Sequence, residues 1–88
     1  MDTGVFRESS TKLENIWVKT SGNSIPSEAI KAGYDVDGSP LYVGRAQHNG
    51  FLIPGKVQRN HGSCYVAYGE KEHSYTDYEV NNPIFQKL

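Results

Sequence analysis

The feature that most constrains this chain is the even spacing of its tight-turn signals. Asp37-Gly38, Asn49-Gly50 and Asn60-His61-Gly62 punctuate the middle of the sequence, and Gly69 breaks it once more. Asp-Gly and Asn-Gly reach positive φ cheaply, as the two-residue turns that join antiparallel strands require. Between the turns stand short runs rich in β-branched, aliphatic and aromatic residues: Leu41 to Ala46, Phe51 to Val57 and Ser63 to Tyr68. Glu72 to Val80 has room for one or two more strands. This spacing predicts an all-β, antiparallel fold, a small sandwich or meander of short strands.

The flanks are less regular. Residues 1–15 are polar with isolated Val5, Phe6 and Leu13, and read as a tail or a loosely attached edge strand. Ile16-Trp17-Val18 opens the β domain proper, which is expected to span residues 16–81. Ser27 offers a helix cap, but Gly33 and the β-rich continuation leave no room for a helix. Ala29 to Asp35 therefore reads as a strand. Pro54 donates no ladder hydrogen bond, so its strand needs an edge or a bulge there. Asn82-Pro83 is expected to end the regular structure. Residues 82–88, with Ile84, Phe85 and Leu88, then form an apolar tail packed at home or swapped onto a partner.

Composition narrows the function. Eighty-eight residues make one domain near the lower size limit for a single core, and only 36% of them are hydrophobic. A thin core of this kind favours pairing with a second copy. Nine basic and ten acidic residues are interspersed, so no basic cluster exists to follow a nucleic-acid backbone. No apolar run is long enough for a membrane helix or a signal peptide, which points to a cytoplasmic or unconventionally secreted protein. Cys64 is the only cysteine, so no intramolecular disulfide forms.

Metal and catalytic signatures fall short. Asp35-Val36-Asp37-Gly38 resembles the start of a calcium loop, but the position for its bidentate Glu is Gly44. His61 and Cys64 have paired-ligand spacing, yet no second pair completes a zinc site. Cys64 between Ser63 and Tyr65 reads as a small buried hydrophobe rather than an activated thiolate. Neither a catalytic residue nor a metal or other cofactor is expected. Trp17 and most of the tyrosines, at positions 34, 42, 65, 68, 75 and 78, are assigned to packing rather than to a stacking platform.

What remains is a series of small words. Gly33-Tyr34-Asp35 is followed by Leu41-Tyr42-Val43-Gly44-Arg45-Ala46 and Leu52-Ile53-Pro54-Gly55-Lys56. Tyr68-Gly69-Glu70-Lys71-Glu72-His73 and Tyr78-Glu79-Val80 complete the series. Their order and spacing resemble the DM-nine repeat family, which includes mannose-binding lectins of invertebrate innate immunity. The resemblance runs from Trp17 to Val80, with a single copy of each word.

The resemblance implies a sugar site. In DM-nine lectins the Asp of the Gly-Tyr-Asp word and the Lys of the Pro-Gly-Lys word contact mannose, which transfers those roles to Asp35 and Lys56. The chemistry suits them: a carboxylate accepts from neighbouring sugar hydroxyls while an ammonium donates to them, on adjacent strands in this reading. The plain alternative is an ordinary cross-strand ion pair, worth well under ~1 kcal/mol if exposed. Glu72 and His73 are candidates for the rim of the site. The competing role for that word is structural, a Glu–His bond or a carboxylate partner for Arg45, which sits inside an apolar strand. Lectins of this family carry two tandem repeats about a pseudo-two-fold axis, so a single repeat implies a homodimer that restores the pair. DM-nine repeats also accompany aerolysin-like pore-forming modules and occur in intracellular proteins that respond to infection. The alternative function is accordingly a protein-interaction or targeting module without sugar binding.

Overall fold

A computed structural model describes the backbone of residues 10–87 and the side chains of residues 14–84. The first nine residues of the expected tail, and the packing of Phe85 and Leu88, lie outside the described residues. The chain forms seven strands: β1 (Ser10–Ser21), β2 (Lys31–Tyr34), β3 (Pro40–His48), β4 (Phe51–Gln58), β5 (Ser63–Tyr68), β6 (Lys71–Tyr75) and β7 (Asp77–Lys87). All pairings are antiparallel within one sheet of order β1-β7-β3-β4-β5-β6, with β2 added beside β3. The all-β, antiparallel class expected from the turns holds. Its central part is a meander, β3 to β6, joined by the turns that the sequence marks.

Two of the turns have primed character, of which the sequence marked the first as such and the second only as a break. Asn49 and Gly50 both have positive φ, as do Gly69 and Glu70. The Asp37-Gly38 turn differs. Only Gly38 has positive φ, at 88°, so the loop is a three-residue connection with a glycine bulge rather than a two-residue primed turn. Asn82-Pro83 does not end the regular structure either. β7 continues through both to Lys87, paired with β1 along its whole length. β7 pairs with β3 only at Val80 and Glu79, so the outer parts of β1 and β7 form a two-stranded ribbon. Pro54 lies where β4 stops pairing with β5, at Gly55, which meets the demand for a local edge.

Side chains alternate across the strands and define two faces. Tyr42, Ala46, Val57, Cys64, Val66, Tyr78 and Val80 point to one face and are buried there. Ile25 and Ala29, in the connection between β1 and β2, close over them. That connection is sewn to the sheet: the Ile30 N–H donates to Asn81 O and its carbonyl accepts from Val43 N–H. The sheet also coils around this face. Three strand spacings separate β3 from β6, about 14 Å if flat. Even so, His48 on β3 lies 4.2 Å from His73 and 5.9 Å from Tyr75 on β6, between ring centroids. The outer face of the coil is mostly exposed, with Gln58 and Ser63 buried at one end of it.

Glycine makes the coiling possible. Gly44 and Gly55 are direct cross-strand partners on the inner face. A Cβ on Gly55 would stand 2.2 Å from the Tyr65 carbonyl oxygen, and one on Gly44 would stand 2.6 Å from a Val57 methyl. Both contacts are far inside van der Waals range. The close backbone approach therefore depends on the absence of these side chains.

Candidate functional site

Asp35 occupies the last position before the β2–β3 loop. Its N–H donates to Ser39 O at 2.8 Å, and Gly38 N–H donates to Asp35 O at 2.9 Å. These bonds fix the backbone and aim the carboxylate at the open face. There Oδ1 accepts from Val36 N–H at 2.8 Å and Oδ2 accepts from Gln58 Nε2 at 2.5 Å. Each oxygen has accepted one bond, leaving a lone pair on each for a ligand donor. Asp35 is half-buried and Gln58 is buried.

Lys56 and Gln58 stand two residues apart on β4, so both project from the open face. Their stems leave the strand about 7 Å apart. Asp35 and Lys56 thus address one patch. Their strands are not adjacent, as the sequence suggested, because β3 runs between β2 and β4. Asp35 reaches the patch by crossing the end of β3 to Gln58. Among the described residues Lys56 forms no ion pair within 4.0 Å, and the pair found there is Arg45–Glu79. The plain cross-strand ion pair is therefore not what the two residues form.

The last two candidates separate. Glu72 pairs with Ala67 and projects from the open face, exposed, on the far side of β5 from Lys56. His73 projects from the inner face, its ring tilted against that of His48, and its Nε2 donates to Tyr68 O at 3.2 Å. Neither supplies Arg45 with a carboxylate. Glu79 does so, accepting from Arg45 Nε at 2.6 Å, while the guanidinium lies 4.2 Å over the Trp17 ring. That trio ties β3, β7 and β1 together on the open face.

Sequence reasoning missed Gln58 as a member of the patch. Its signal was available: period two in a strand places it on the face of Lys56. Its partner was not, since the reach of Asp35 depends on the loop geometry.

The family model of the DM9 repeat matches residues 5–75. The chain belongs to the DM9 repeat family. No curated protein matches it. The matched span takes in Asp35, Lys56 and Gln58 and stops before β7, the strand that fills the sheet between β1 and β3. Within this DM9 repeat a groove of about 600 Å³ opens where β3 and β7 diverge, past Arg45 and Glu79. It adjoins Ala46 and Gln47, at the opposite end of β3 from Asp35.

Proposed function

We propose that this DM9 repeat is a carbohydrate-binding module for mannose or mannose-containing glycans, serving recognition in innate immunity. One observation carries the reading: an anchored carboxylate with lone pairs to spare shares an open face with a lysine outside any described ion pair. A vicinal diol matches that arrangement, donating to Asp35 and accepting from Lys56. Because Asp35 is held by Val36 and Gln58 beforehand, little is lost in ordering it on binding.

Such a site is weak alone, since a Kd of ~1 mM corresponds to only about −4 kcal/mol. Two sites in a homodimer would raise the affinity for a multivalent glycan through effective concentration. The small core favours that dimer. The role proposed is binding rather than catalysis.

The test is an NMR titration with mannose, with galactose as control, of the wild type and the Asp35→Ala and Lys56→Ala variants shown to be folded. Saturable shifts that disappear in both variants support the reading. No shifts at high millimolar mannose would sink it and favour a protein-interaction module.

A further inference from the structure

We infer that Tyr65 is the aromatic platform of the Asp35–Lys56 site and that His61 is its positioning residue. The inference rests on the sugar-binding reading above and names a contact that the reading does not contain.

The six tyrosines divide unequally between the two faces. Tyr42 and Tyr78 are buried in the core, and Tyr75 packs against it. Tyr68 packs against His48 at a tilt and stacks on Phe51 at the inner rim. Tyr34 pairs with Pro40, two residues before Tyr42, and so shares its face. Tyr65 alone projects from the open face. Its cross-strand partner there is Lys56, which sets the two side chains about 5 Å apart at Cβ.

The ring is also held. His61 Nδ1 lies 2.7 Å from the Tyr65 hydroxyl, and the two rings meet edge to face at 80°. His61 ends the 3-10 turn Arg59–His61 that joins β4 to β5. That turn follows directly on Gln58, whose amide holds Asp35. The 3-10 turn and the β2–β3 loop therefore flank one patch, with Tyr65 and Lys56 beside them.

A pyranose has hydroxyls around its edge and C–H groups on its faces. The C–H hydrogens carry slight positive charge and are drawn to the negative face of an aromatic ring. A sugar whose hydroxyls bridge Asp35 and Lys56 would bring its C–H groups to the ring beside Lys56. A ring tethered through its hydroxyl keeps its face available for that contact.

Methyl α-mannopyranoside is the probe, followed by ligand-detected saturation transfer and by the assigned ring resonances of Tyr65. Saturation passing to the sugar C–H protons, with Tyr65→Leu weakening binding about tenfold and Tyr65→Phe about twofold, is the expected result. Tyr34→Leu, on the other face, leaves binding unchanged. His61→Ala weakens binding in the wild type and adds nothing in a Tyr65→Phe background, and His61→Asn restores the tether and the affinity. Sugar binding that needs Asp35 but is indifferent to Tyr65→Leu overturns this inference and leaves the site standing. No binding by the wild type removes both.

Discussion

Gln58 donates to Asp35 across the end of β3, Nε2 to Oδ2, at 2.5 Å. The bond joins a buried amide on β4 to the carboxylate of the β2–β3 loop, and it is the direct link between that loop and the strand of Lys56. Replacing Gln58 with Leu keeps the volume but removes the donor. The carboxylate then loses one of its two anchors and recovers solvent in its place. The expected result is a loss of about 1–2 kcal/mol in urea unfolding and a several-fold weaker response to mannose. An unchanged midpoint and titration in Gln58→Leu would show that the loop holds Asp35 without help.

The paired glycines give a graded prediction. At Gly55 an added methyl meets the backbone carbonyl of Tyr65, which cannot move without breaking the β4–β5 ladder. At Gly44 the nearest atom is a Val57 methyl, the far end of a side chain, although Val57 is fully buried. Gly55→Ala should therefore cost about 3 kcal/mol or more, and Gly44→Ala about 1–2 kcal/mol. Thermal unfolding of the two variants measures the order. A Gly55→Ala protein as stable as Gly44→Ala would refute the tight approach of β4 to β5.

Arg45, Glu79 and Trp17 form a partly exposed trio, with 28% and 19% of the Arg45 and Glu79 side chains accessible. Partial exposure lets solvent screen the pair, so its energy is modest. A double-mutant cycle of Arg45→Met and Glu79→Gln should yield a coupling of about 0.5–1 kcal/mol that shrinks in high salt. Trp17→Leu should lower stability by a similar amount through the lost contact with the guanidinium. Zero coupling at low salt would mean that the two strands are held by the backbone ladder alone.

The readable parts of the fold are the ones encoded locally. Asn49-Gly50 is legible because its two residues need positive φ and tolerate it, and β5 because Gly62 and Gly69 bound it. The ribbon of β1 and β7 was not legible. The start of β1 is mostly polar, β7 is interrupted by Asn82-Pro83, and the pairing that makes them strands joins opposite ends of the chain. At the site, the faces of Lys56, Glu72 and His73 follow from alternation once the strands are known. The crossing of Asp35 to Gln58 does not, because it depends on a three-residue loop where the sequence suggested a two-residue turn. Arg45 shows the same limit: its need for a carboxylate was plain from its strand, while Glu79 is its neighbour only through the β3–β7 register.

Cys64 supplies a prediction for alkaline pH. Its side chain is fully buried among Val57, Val66 and Val80, and burial pushes the thiol from 9.0 up to about 11. The unfolded chain releases this proton at lower pH than the folded one, so deprotonation favours unfolding between those two values. Stability should hold below pH 9 and fall as pH rises toward 11, with Tyr78, also raised by burial, acting in the same direction. In the native state at neutral pH the thiol should resist iodoacetamide and react only once the protein is unfolded in urea. Alkylation of the folded protein at the rate of a free thiol would place Cys64 outside the core and remove the basis for the alkaline slope.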